Sequence, residues 1–196
     1  MTKSRGRPKE FDESKAITLA MNYFWNNGYE NTSLDNLLLE MGIKKSSFYH
    51  SFGSKEKLFS LCLDLYHRTM AEQLTALKNK IGPKQTMLEI TQRTLVELQE
   101  TGKIKGCLLV NSGQECYKKN NKLSSQIAHE FNFLQNLFVD FIRESQELGE
   151  ISNNKSASKI SGRYMNTLNG LVVTVQAGAS TEMIDDIVQS LQEMLE

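Results

Sequence analysis

The chain has 196 residues, of which 39% are hydrophobic and 23% charged, and its 23 Lys/Arg balance its 23 Asp/Glu. That length holds one large domain or two small ones with a real hydrophobic core, and zero net charge excludes a protein that finds a polyanion through bulk charge alone. Charge is unevenly spread: residues 1–60 hold nine Lys/Arg against seven Asp/Glu, and Lys3, Arg5, Arg7 and Lys9 lie together with no acid among them.

Residues 1–10 read as a flexible basic arm ending near Pro8. Asp12 is a plausible N-cap for a first helix, in which Ile17, Ala20, Met21 and Phe24 recur at helical spacing up to Asn27-Gly28. Thr32 and Ser33 are N-cap candidates for a short second helix with Leu34, Leu37, Leu38 and Met41 on its apolar side, stopped at Gly42-Ile43. A third short helix is expected from about Lys44 to His50 around Phe48, ending at Phe52-Gly53, with Ser54 capping a long fourth helix over roughly 55–80. Gly82-Pro83 is the clearest break. Helices follow over about 84–101, 107–118, 121–148 and 155–177, with a loop at Gly149 to Asn154. Thr181 is expected to cap a last helix through Ile187 and Leu191.

No run alternates at period two over a convincing length, only two prolines interrupt the chain, and no repeat is visible. The fold class is therefore all-α, with about nine helices. The expected division is a basic arm over 1–10, a three-helix helix-turn-helix domain over 11–54, and a helical ligand-binding and dimerisation domain over 55–196.

Cys62, Cys107 and Cys116 make neither a disulfide framework nor a CxxC metal pair. No signal peptide is visible, and the apolar runs are far too short to span a bilayer. The expectation is a cytoplasmic protein with reduced thiols, no metal, no cofactor and no membrane partner.

Function concentrates in residues 28–58. Helices two and three, separated by the Gly42 turn, follow the sequence pattern of a helix-turn-helix. In that motif the second helix of the pair lies in the major groove while the first crosses the backbone. Lys44, Lys45, Ser46, Ser47, Tyr49 and His50 supply an outer surface with no acid, as contact with phosphates requires.

In these residues the chain resembles the TetR family of bacterial regulators. The resemblance is carried in order by Phe24, Gly28-Tyr29, Thr32-Ser33, Leu37, Met41-Gly42-Ile43, Ser46 to Phe52, and Ser54-Lys55-Glu56-Lys57-Leu58. It is close over about residues 12–60, whereas the C-terminal part matches in helix count. It implies that Thr32 or Ser33 and Tyr49 hydrogen-bond phosphates, and that Lys55 meets a phosphate with a helix N-terminus behind it. It further implies that Lys44, Lys45, Ser46, Ser47 and His50 face base edges or nearby phosphates. Arg5 and Arg7 resemble minor-groove hooks, the alternative being a disordered solubilising tail.

The resemblance also implies a small-molecule effector inside the C-terminal helices, which releases operator DNA by shifting a population of states. Tyr66, Met70, Cys107, Tyr117, Phe131, Phe138, Tyr164 and Met165 are the pocket candidates, with plain core packing the competing role for each. Gly106-Cys107-Leu108-Leu109-Val110-Asn111 is similar to a segment in a branch of the family that includes thiol-based sensors of electrophiles. Lys103 and Lys105 lie near Cys107 in sequence, and Cys116 is a candidate resolving thiol.

Helices eight and nine are expected to form a homodimer interface. One stripe is Tyr164, Leu168, Leu171 and Val175, with Gly162, Gly170 and Gly178 allowing close approach; the other is Met183, Ile187, Leu191 and Met194. These stripes can instead serve the protomer core. Two-fold symmetry would match a palindromic operator. Two rival readings remain: a thiol enzyme with Cys107 as nucleophile and His129 as base, and a helical protein-interaction module without DNA binding. The first lacks an orienting third group, and a flat salt response would mark the second.

Overall fold

The computed structural model describes residues 11–196. Within them the regular structure is nine α-helices: α1 (Glu13–Asn27), α2 (Leu34–Met41), α3 (Lys45–Ser51), α4 (Lys55–Ile81), α5 (Pro83–Thr101), α6 (Leu108–Cys116), α7 (Asn121–Glu147), α8 (Ala157–Gln176) and α9 (Thr181–Glu193). The chain divides into two compact units between Tyr66 and His67, a point inside α4. No helix among the described residues is long and apolar enough to cross a membrane.

Local chemistry explains most helix ends. Asp12 caps α1 by accepting from the Ser14 and Lys15 amides, and Ser33 caps α2 by accepting from the Asn36 amide. Ser54 accepts from the Lys57 amide at the start of α4. Gly42 ends α2 with φ 64°, a left-handed conformation that a side chain resists. Pro83 sits at the start of α5, where its missing N–H costs nothing. Two expectations change. Ser180, not Thr181, caps α9 by accepting from the Met183 amide. Thr32 is not a cap: it is buried, and its hydroxyl donates to the Gly28 carbonyl.

In the first unit, Ala16, Ala20 and Phe24 of α1, Leu37 and Met41 of α2, Phe48 of α3, and Leu58, Phe59, Cys62 and Leu63 of α4 are buried apolar residues of the core, and α1 packs on α2. Aromatic rings lock this core. Phe24 meets Phe59 edge-on at 4.7 Å, and Phe48 lies 5.7 Å from Phe52. Such pairs add about 0.5–1.5 kcal/mol each beyond burial. Because α3 is short and anchored through Phe48, Lys45, Ser46, Tyr49 and His50 are left exposed.

In the second unit, α7 is the central helix and packs against α5, α6 and α8; α9 packs on α8 and α5. Leu123, Ile127, Leu134, Phe138, Phe141 and Ile142 give α7 its buried stripe. Tyr164 of α8 is fully buried and donates to the Met87 carbonyl at 2.6 Å, while the Thr91 hydroxyl lies 3.0 Å from its oxygen. That network satisfies the polar end of an otherwise apolar anchor. Burial pushes the Tyr164 phenol above its ordinary range, opposed by the bond to Thr91.

Candidate nucleic-acid interface

The outward face of α3 is built by subtraction. Phe48 enters the core, and Phe52 just beyond the helix follows it. Lys44, Lys45, Ser46, Tyr49 and His50 are then exposed and Ser47 half-buried. Lys44 occupies the N-cap position without a side-chain cap bond, and the first turn of the helix carries no acid. Tyr49 is 50% exposed with its ring edge-on to Phe48 at 5.4 Å, so its base is braced and its hydroxyl end is accessible. The surface combines two ammonium groups, hydroxyl groups and an imidazole, all able to donate hydrogen bonds toward an anionic or base-edge partner.

A further cation lies at the start of α4. Lys55 Nζ sits 4.4 Å from the centre of the Tyr29 ring. Tyr29 is itself wedged against Phe24 at 6.0 Å and Phe59 at 4.6 Å. The ammonium therefore lies over an aromatic face rooted in the core, beside the first turn of a helix whose amide dipoles favour anions.

Not every sequence-derived candidate sits where it was expected. Ser33 is exposed, but its side chain already accepts from the Asn36 amide. Thr32 is buried and bonded to Gly28, which removes it as a phosphate contact. Arg5 and Arg7 lie outside the described residues.

Among the pocket candidates, Phe138 and Tyr164 come together, with ring centroids 5.9 Å apart. Met165 is buried, and Met70, Cys107 and Phe131 are half-buried. Tyr66 is buried and belongs to the first unit, its ring edge-on to Trp25 at 5.1 Å. Tyr117 is 67% exposed just past the end of α6, so it lines no interior. None of the three cysteines is disulfide-bonded, and Cys107 occupies the N-cap position of α6.

Of the expected dimer stripes, Tyr164, Leu171 and Leu191 are buried within the protomer itself, which takes them off a dimer face. Leu168, Val175, Ile187 and Met194 are half-buried and Met183 is exposed. Sequence reasoning missed Val173, half exposed on α8, and the position of the Tyr29 ring beneath the Lys55 ammonium. The first was hidden in a continuous apolar run; the second joins residues far apart in sequence, and the family resemblance at Gly28-Tyr29 assigned that tyrosine no contact.

A short helix with no acidic residue, presented outward beside two further helices of one core, is the arrangement of a helix-turn-helix domain. Comparison with known proteins specifies the family. Residues 16–62 match "Bacterial regulatory proteins, tetR family", and residues 83–191 match "Tetracyclin repressor-like, C-terminal domain". The chain belongs to the TetR family of DNA-binding transcriptional regulators. The HTH-type transcriptional repressor ComR of Escherichia coli (strain K12) is 25% identical over 204 residues, spanning 94% of this chain and 89% of ComR. The fold is shared with E. coli NemR in its reduced form, at TM-score 0.82 and 19% identity over 93% of this chain and 96% of NemR. It is shared also with a cysteine mutant of the TetR-family regulator CifR complexed with 26-bp double-strand operator DNA, at TM-score 0.81 and 24% identity over 97% and 100% of the two chains.

Proposed function

We propose that the protein binds a palindromic operator as a homodimer, represses transcription there, and is released by a small-molecule effector. The observation that carries this reading is the exposed, acid-free face of α3 opposite the buried Phe48. Lys44, Lys45, Ser46, Ser47 and His50 face the major groove, where side chains reach base edges. Tyr49 and Lys55 hold phosphates and set register, and Ser33 adds a contact at the start of α2. Arg5 and Arg7 extend the footprint into the minor groove. Repression and operator binding are supported by the relatives: ComR is a repressor, and CifR was solved on operator DNA.

The dimer face consists of Leu168, Val173 and Val175 on α8 with Met183, Ile187 and Met194 on α9. Gly162 and Gly170 have nothing within 4 Å of where a side chain would begin, which leaves room for a partner helix. The effector enters the second unit near Met70, Phe131, Phe138 and Met165, and an electrophile acting on Cys107 is one chemical class it can take.

The experiment is selection of duplexes from a random pool by the full chain. A two-fold-symmetric sequence is expected, and Tyr49→Phe together with Lys55→Ala should abolish its retention. Affinity should fall steeply with salt as cations leave the phosphates. Failure to enrich any sequence, with a flat salt response, would leave the interaction-module reading in its place.

A further inference from the structure

We infer that Tyr29 is a positioning residue for DNA binding: its ring holds the Lys55 ammonium at the mouth of α4, where a backbone phosphate is to be met. The inference rests on the proposed phosphate contact of Lys55 and adds a residue to which that reading gave no role.

The geometry is a stack rooted in the core. Phe59, fully buried on α4, lies 4.6 Å from Tyr29, and Phe24, buried on α1, lies 6.0 Å away. Two aromatic neighbours from different helices thus fix the plane of the Tyr29 ring. Above that plane, 4.4 Å from its centre, is Lys55 Nζ. A lysine side chain has many rotamers, and Lys55, half-buried at the start of α4, must be ordered before it can contact a phosphate. A ring face attracts an ammonium through its quadrupole and leaves N–H donors to turn toward another acceptor. The platform lowers the ordering cost that binding would otherwise carry. Ser54 bonding the Lys57 amide fixes the first turn of α4 on which Lys55 stands.

A platform differs from a structural tyrosine in what its loss does to salt dependence. Each phosphate neutralised contributes about 0.9 to the slope of log affinity against log salt. Removing Lys55 from the two halves of a dimeric complex should lower that slope by about 1.8. Tyr29→Leu keeps apolar bulk and removes the ring face, so it should lower the slope toward the same value while Lys55 is still present. Tyr29→Phe keeps the ring and should retain the wild-type slope. The double variant Tyr29→Leu with Lys55→Ala should bind no more weakly than Lys55→Ala alone.

The test measures binding of wild type and these variants to the selected duplex across a salt series, with thermal unfolding of each protein alone as the folding control. Four outcomes overturn the inference. In the first, Tyr29→Leu weakens binding with an unchanged slope, additively with Lys55→Ala. In the second, Tyr29→Phe behaves like Tyr29→Leu, so that the hydroxyl matters and the ring does not. In the third, Tyr29→Leu binds with wild-type affinity and slope. The fourth, Lys55→Ala with an unchanged slope, overturns the phosphate role of Lys55 as well; the first three leave that role standing.

Discussion

The three cysteines share one chemistry and sit in different environments. Cys62 is fully buried on α4, its sulfur 3.7 Å from the Ile17 carbonyl, and burial pushes its thiol well above the ordinary range. The folded state therefore keeps this proton when an unfolded thiol, with its pKa near about 8.5, would lose it. Stability from the buried neutral thiol is complete below that pH and declines as pH rises beyond it. Cys116 is also fully buried, whereas Cys107 is half-buried at the start of α6. Since the thiolate is the nucleophile and access limits it, iodoacetamide at about pH 7.5 should label Cys107 first and reach Cys62 and Cys116 only once denaturant is added. Peptide mass spectrometry reads this directly. Equal labelling of all three would end the idea of an electrophile acting on Cys107. Rapid labelling that leaves operator affinity unchanged would make the thiol accessible and functionally silent.

At the scale of elements, legibility followed the range of the interaction. Asp12, Ser33, Ser54, Gly42 and Gly82-Pro83 mark their helix boundaries in sequence because a cap or a left-handed turn is a contact between near neighbours. The outward face of α3 was legible for the same reason: once Phe48 is given to the core, helical geometry directs the others. What is not local was not legible. Tyr164 and Leu171 lie on the same helix as Leu168 and Val175, and only packing against α5 and α7 shows that the first two are buried. An apolar stripe records that a face is covered and not what covers it. Gly106 makes the point as an experiment. It has φ 69°, and a Cβ there would stand 2.7 Å from Val172 Cγ1 of α8; Gly42 has φ 64° and open space around it. Both positions penalise alanine by about 1–2 kcal/mol through conformation alone, but only Gly106→Ala also collides with a neighbour. Denaturant titration should find Gly106→Ala the more destabilised variant by about 1–3 kcal/mol. Val172→Ala added to Gly106→Ala should be less destabilising than the sum of the two changes. Strict additivity would mean that the loop moves away from α8 at little cost.

For the whole molecule the question is how a surface of seven-residue helices gains specificity. One α3 presents few side chains to base edges, and each good contact discriminates by only about 1–3 kcal/mol. Two copies related by symmetry double the number of bases read, provided that their separation matches a helical repeat of about 34–36 Å. Under the proposed reading, dimerisation is the step on which operator selection depends, and the exposed sides of α8 and α9 are where its apolar surface is to be sought. Met183 is 52% exposed and Val173 50%, the two large apolar side chains that α8 and α9 turn most to solvent. Charge placed there leaves the protomer core untouched, because that core is closed by Tyr164, Leu171 and Leu191. Met183→Glu combined with Val173→Glu should accordingly preserve helical content while converting a dimer to a monomer in sedimentation. It should reduce affinity for the symmetric duplex by several orders of magnitude, since a monomer forfeits the second half-site and the effective concentration that the first provides. Residual binding should lose its dependence on half-site spacing. A charged variant that remains dimeric and still requires both half-sites would move the interface to another face. The outward face of α3 would remain as the reading surface, with its pairing still to be located.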